Sequence, residues 1–199
     1  MSNTAAAHYT STGLDTRKIA FWTFIGSECL LFGTLISTYL VYEGRSVVGP
    51  TTQEILNLPL TTISTFVLLM SSLAMVLALA AVTSGDRKYS IVWLATTALL
   101  GLVFLGFQVV EFTEFVHEGL TISTNLFGST FFTLTGCHGL HVAVGVIWLT
   151  TLTILAFRDK LGPEKAMNVE ICGLYWHFVD VVWIVIFTVV YLLQRGGIR

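Results

Sequence analysis

Five long apolar runs dominate this sequence, at 19–42, 60–82, 89–112, 127–157 and 171–193. Crossing the hydrocarbon core of a bilayer takes about 20 apolar residues as a helix, against about 10 alternating residues as a strand. Each run is continuous and long enough for a helix. A backbone inside hydrocarbon must satisfy its own hydrogen bonds, which leaves helices for runs of this kind. The expected fold is an all-α integral membrane protein, a bundle of five transmembrane helices forming one domain over 19–193. A polar segment at 1–18 precedes it and a short tail at 194–199 follows. The fourth run, with 31 residues, overshoots a ~30 Å core at ~1.5 Å per residue, so it is expected to tilt or protrude.

Composition agrees. Only 11% of the 199 residues are charged, where soluble domains average about 25%. That excludes a soluble enzyme, a disordered chain and a nucleic-acid binder, and a net charge of −2 gives no steering toward polyanions. Cys29, Cys137 and Cys172 all lie in apolar stretches without a CxxC and are expected as reduced core residues. No hydrophobic segment follows a basic start, so no cleaved signal peptide is expected. Pro50, Pro59 and Pro163 fall between the runs, where a missing N–H does no harm.

Topology follows from basic residues. Arg17, Lys18, Arg87, Lys88, Arg158, Lys160 and Lys165 share one side, whereas Arg45, Arg195 and Arg199 share the other. The positive-inside bias puts the N-terminus in the cytoplasm and the C-terminus outside. Trp22 and Trp93 sit near run starts, as belt residues do.

Three charges lie inside the runs: Glu28, Glu111 and Asp180. An ionised carboxylate at mid-bilayer costs about 2.5–3.5 kcal/mol even on insertion scales, so each needs a physical reason. Glu28 shares a helical face with Phe21, Phe24, Phe32, Leu35 and Tyr39, and Gly26, Gly33 and Ser37 lie opposite as a close-packing stripe. Glu28 is expected either as a neutral carboxyl bonded to one neighbour or as a proton-exchanging or lipid-contacting group. His138 and His141 are spaced i, i+3, with Gly136, Gly139 and Gly145 around them. His177 and Asp180 repeat that spacing, and Trp176, Asp180 and Trp183 form a stripe. These residues are expected as interhelical polar contacts, a clasp between the fourth and fifth helices. Glu111, Glu114 and Glu118 line one helix end without a nearby cation. They read as a solvated end or, for Glu111 and Glu114, a subunit contact.

The same residue types bear on metal binding. Glu114 and His117 match the ExxH pattern of di-iron bundles, but such sites need a second copy and two further Glu. No second ExxH exists and the chain has five His. No intrinsic metal site and no catalytic residue are expected.

Several motifs point further. Tyr175-Trp176-His177-Phe178-Val179-Asp180-Val181-Val182-Trp183 resembles the last helix of subunit III of the haem-copper terminal oxidases nearly letter for letter. Gly128-Ser129-Thr130-Phe131-Phe132 and Thr135-Gly136-Cys137-His138-Gly139-Leu140-His141 resemble the helix before it. Ser27-Glu28 is similar to that family's Ser-Glu pair, and Gly85-Asp86-Arg87-Lys88 and Thr121-Ile122-Ser123 fall in order between. The resemblance implies an accessory subunit of a proton-pumping oxidase that reduces oxygen to water in a bacterial cytoplasmic membrane. It implies direct packing on catalytic subunit I, with subunit II and small subunits in the same complex. It implies no cofactor on this chain, haem and copper in the partners, and bound phospholipid. Glu28 becomes the buried carboxyl near a lipid cleft, and Arg158 and Lys160 become lipid head-group ligands, as their charge suits. Longer members have seven helices with lipid between the first two and the other five. The five runs here correspond to the last five, so another chain would supply the second wall.

The electron donor is read by other subunits; cytochrome c is the expectation and quinol the alternative. Two further readings stand beside this one. One is a small proton or ion transporter relaying through Glu28, Asp180 and the His pair. The other is a metalloenzyme built on His138, His141, His177 and Glu114.

Overall fold

The computed structural model describes residues 15–45 and 58–193. Among these residues five helices are long and apolar enough to cross a membrane. They are α1 (Thr16–Tyr42), α2 (Leu58–Ser84), α3 (Arg87–His117), α4 (Leu126–Phe157) and α5 (Ala166–Phe187). A 3-10 turn at Pro163–Lys165 leads into α5, and a π turn at Thr188–Leu192 continues it. Arg195 and Arg199, used above for topology, lie outside the described residues.

Local chemistry sets the helix ends. Asp15, Asp86 and Asn125 cap α1, α3 and α4 by accepting from the N–H groups of Arg17 (2.8 Å), Tyr89 (3.1 Å) and Gly128 (2.7 Å). The Arg17 side chain also bonds the Asp15 carboxyl and holds it below its ordinary range, so that cap stays ionised. Gly85 and Asp86 alone separate α2 from α3, which makes those helices antiparallel neighbours. Arg87 then reaches across to donate to the carbonyls of Ala156 (3.3 Å) and Phe157 (2.7 Å), closing the C-terminus of α4. The helices outrun several of the apolar runs because their polar ends also stay helical. Thus α3 extends to His117. Pro59 lies inside the first turn of α2 rather than between elements, a position where proline costs no hydrogen bond.

The helices α2, α3, α4 and α5 pack in chain order, and the ring closes where α5 meets α2. Helix α1 stands outside this ring against α4 and α5. Its buried residues are Ile25, Phe32 and Tyr39, seven apart, and with half-buried Phe21, Leu35 and Ile36 they form the one face that leans on the ring. Among the described residues nothing packs on Gly26 or Gly33, since a Cβ at either would meet nothing within 4 Å. The expected close-packing stripe is thus not met by the described residues of this chain, and Cys29, expected in the core, lies exposed beside it.

Trp176 is the centre of the ring. It is fully buried, and its indole lies between Gly101 of α3 and Gly145 of α4. A Cβ at those glycines would come within 2.6 Å and 2.7 Å of the ring. Its Nε1 donates to Ser71 Oγ of α2 at 2.8 Å. One side chain thus touches all three other ring helices. Gly145→Leu should destabilise the detergent-solubilised protein by about 1–3 kcal/mol through overpacking. Gly136→Leu, on the same helix but facing open space, should leave thermal unfolding unchanged.

Candidate functional site

The membrane-embedded polar side chains divide into separate links. The first joins α1 to α4: His141 Nε2 lies 3.1 Å from Glu28 Oε2, and both side chains are largely covered, at 18% and 15% exposed. His141 Nδ1 faces the Cys137 carbonyl at 2.8 Å. A carbonyl only accepts, so Nδ1 carries a hydrogen. Nε2 then either accepts from a protonated Glu28 or donates to an ionised one. Both arrangements are electroneutral, which suits a pair in hydrocarbon. Tyr175 donates to the His141 carbonyl at 3.0 Å and steadies the same turn.

The second link joins α4 to α5. His138 is fully buried and its Nε2 donates to the Val179 carbonyl at 3.2 Å. Trp183 covers its ring at 4.8 Å and Phe104 meets it edge-on at 5.8 Å. The third link joins α5 to α2. Ser72 Oγ contacts both the Asp180 carboxyl and His177 Nδ1, the latter at 2.9 Å. The expected single clasp between the fourth and fifth helices is therefore corrected. His138 alone bonds α5, whereas His141 turns to α1, and His177 and Asp180 turn to α2. Residues spaced i, i+3 differ by about 60° around the helix axis, enough to aim neighbours at different helices.

Glu111 also departs from expectation. It is 5% exposed and accepts from Thr61 (2.8 Å) and Tyr191 (3.1 Å), tying α2 and the π turn to α3. It is an internal contact, not a solvated end or a subunit contact. Glu114 is exposed at the same helix end. At the opposite end of the bundle, Arg158 and Lys160 are exposed after α4. Lys18 pairs with Glu170 at 2.6 Å and fastens the foot of α1 to α5.

Sequence reading missed the partners. Ser71, Ser72, Thr65 and Thr61 all lie on α2. Thr65 accepts from Trp183 Nε1 at 2.9 Å, parallel to the Trp176–Ser71 bond. The signal was present as hydroxyls recurring at helical spacing along an otherwise apolar run. Gln108 was also missed; it donates to the Thr135 carbonyl at 2.8 Å and lies over Gly139. An apolar groove of about 470 Å³ runs beside the Glu28–His141 pair, lined by Phe21, Phe24, Leu140, His141, Val144, Trp148 and Tyr175. Among the described residues, no group of three or more His, Cys, Asp or Glu is gathered as a metal would need.

These features define a polytopic helical membrane protein whose buried polar groups bond helix to helix. The cytochrome c oxidase subunit III family matches residues 1–195, and the chain belongs to it. It is 43% identical to cytochrome c oxidase subunit 3 of Bacillus sp. (strain PS3), over 90% of this chain and 86% of that one. It is 40% identical to quinol oxidase subunit 3 of Bacillus subtilis (strain 168), over 99% of this chain and 96% of that one. Cytochrome c oxidase subunit 3 of Alkalihalophilus pseudofirmus is 42% identical over 90% of this chain and 87% of its own length. The chain is thus subunit III of a haem-copper oxidase, an integral membrane component of a multi-subunit complex.

Glu111 gives a direct check of the corrected site. Glu111→Leu removes the carboxyl oxygen that accepts from Thr61 and Tyr191 and should cost about 1–3 kcal/mol in a thermal or denaturant unfolding assay. Glu111→Gln keeps an acceptor oxygen and should lose less, and exposed Glu114→Gln should lose nothing measurable.

Proposed function

We propose that this chain is a non-redox accessory subunit, with no catalytic site of its own, in a proton-pumping oxidase that reduces oxygen to water. In this reading it packs directly on catalytic subunit I, beside subunit II and small subunits. Haem and copper belong to those partners, and this chain binds neither. The observation that carries the reading is how its ionisable groups are used. His138, His141, His177, Glu28 and Asp180 are each turned to a contact on a different helix. Such a donor set ties helices together instead of converging on one atom.

Phospholipid is the proposed ligand. The groove beside Glu28 and His141 is apolar and open to the membrane side of α1 and α4. Trp148 at its wall lies ten residues before Arg158, about 15 Å along a helix at ~1.5 Å per residue. An acyl chain in the groove would therefore bring its head group toward Arg158 and Lys160. Glu28 supports proton uptake and turnover stability from this position. The basic end of the bundle faces the cytoplasm in a bacterial cytoplasmic membrane, by the positive-inside bias. Cytochrome c is the proposed donor to the complex. The names of the relatives divide between cytochrome c and quinol oxidases, so quinol is the alternative.

Glu28→Gln keeps a donor to His141 but cannot exchange a proton. In the purified oxidase it should leave the haem spectrum unchanged and alter phospholipid retention or the number of turnovers before inactivation. Loss of haem in that variant would contradict the accessory role. Oxygen uptake by the wild-type complex should be supported by reduced cytochrome c; uptake with quinol alone would reassign the donor.

A further inference from the structure

The Ser72–His177–Asp180 cluster is not enclosed by the described residues. Asp180 is buried, but Ser72 and His177 are only partly covered, and around them the surface is apolar and exposed: Leu73 and Val76 from α2, Val181 and Ile184 from α5. The cluster also lies at mid-depth. His177 is fourteen residues into the 30-residue span Pro163–Leu192, and Ser72 is fourteen residues into the 27-residue α2. A half-covered imidazole thus opens outward where a bilayer holds only acyl chains.

Among the described residues this imidazole lacks a hydrogen-bond partner at Nε2. Ser72 has one hydrogen to give, and its side-chain contacts are the Asp180 carboxyl and His177 Nδ1. In one electroneutral arrangement a protonated Asp180 donates to Ser72, which donates to Nδ1, and the imidazole hydrogen sits on Nε2. In a second, an imidazolium donates from Nδ1 to Ser72, which donates to an ionised Asp180, and Nε2 again carries a hydrogen. A third electroneutral arrangement, with Nδ1–H donating to Ser72, Ser72 donating to Oδ2 and the Asp180 proton on Oδ1, leaves that buried O–H without an acceptor. A net charge at this depth is also costly, so the favoured arrangements leave His177 Nε2 as a donor. Among the described residues nothing is positioned to accept from it. Acyl chains carry no acceptor, so lipid cannot complete the cluster.

We propose that the α2–α5 seam around His177 receives a transmembrane helix of another chain, which presents an oxygen acceptor to His177 Nε2. The surrounding Leu73, Val76, Val181 and Ile184 supply the apolar contact, and the imidazole is the polar anchor at its centre. This inference rests on the reading of the chain as one subunit of a complex, and it names the face and the chemistry of that contact.

The test uses the intact complex purified in mild detergent. A photo-crosslinking amino acid placed at Val181 should join this chain to another polypeptide, whereas the same probe at Leu102, on the outer face of α3, serves as the lipid-facing reference. Crosslinking of Val181 to lipid alone would overturn the proposal. His177→Phe should lower retention of this subunit through purification by roughly threefold to tenfold, the size of one lost interhelical hydrogen bond. His177→Gln, which keeps an N–H donor, should restore it; equal retention of the wild type and His177→Phe would also overturn the proposal. If His177→Phe fails to accumulate, the Val181 probe decides with His177 intact. The two readings fail separately. A haem-bearing complex in which Val181 finds only lipid would refute the docking face and leave the subunit assignment. A polypeptide crosslink in a preparation without haem would do the reverse.

Discussion

Hydrocarbon offers no hydrogen bonds, and that shortage organises this bundle. Every donor and acceptor on a membrane-embedded side chain must be met by protein or left costly. Trp176 shows the principle most fully. Its indole fills the space left by Gly101 and Gly145, so α3 and α4 close on it, and its one polar atom is met by Ser71 on α2. Trp183 and Thr65 repeat the arrangement about two turns away. Apolar packing and polar satisfaction are achieved by the same side chains, which fixes how α5 is rotated in the ring.

Helix α1 is held by different means. Only Ile25, Phe32 and Tyr39 of α1 are fully buried against the ring, with Phe21, Leu35 and Ile36 half-buried beside them. Two polar links add to this contact: Glu28 to His141 within the membrane and Lys18 to Glu170 at its foot. The Glu28–His141 pair sits beside the groove that would hold an acyl chain. Helix position and the proposed lipid contact therefore meet at one pair of side chains, which is the physical basis for proposing that Glu28 acts in turnover stability instead of in redox chemistry.

Much of this was legible in the sequence, and what was not has a common cause. Length and continuity of apolar runs located all five helices, because a membrane span is a local property. The scarcity of charge singled out Glu28 and Asp180, because cost in hydrocarbon is also local. Partners were not legible. His138 and His141 share a helix and nearly a face, yet one bonds α5 and the other α1. Glu111 looked like the start of an acidic helix end, but the π turn brings Tyr191 back to it. Gly26 and Gly33 looked like Gly101 and Gly145, yet only the second pair faces a tryptophan. Which small residue is a socket depends on which helix arrives, and that is set by the whole bundle.

In the proposed reading, this chain's buried polar groups hold helices together within an oxidase whose redox centres lie elsewhere. Purification of the tagged chain in mild detergent, followed by optical spectra, metal analysis and identification of accompanying chains, tests it most directly. A haem-bearing integral membrane partner is expected in stoichiometric amount, with no haem or metal on this chain once separated from it. A chain that purifies alone, or that carries a stoichiometric metal by itself, would contradict this reading.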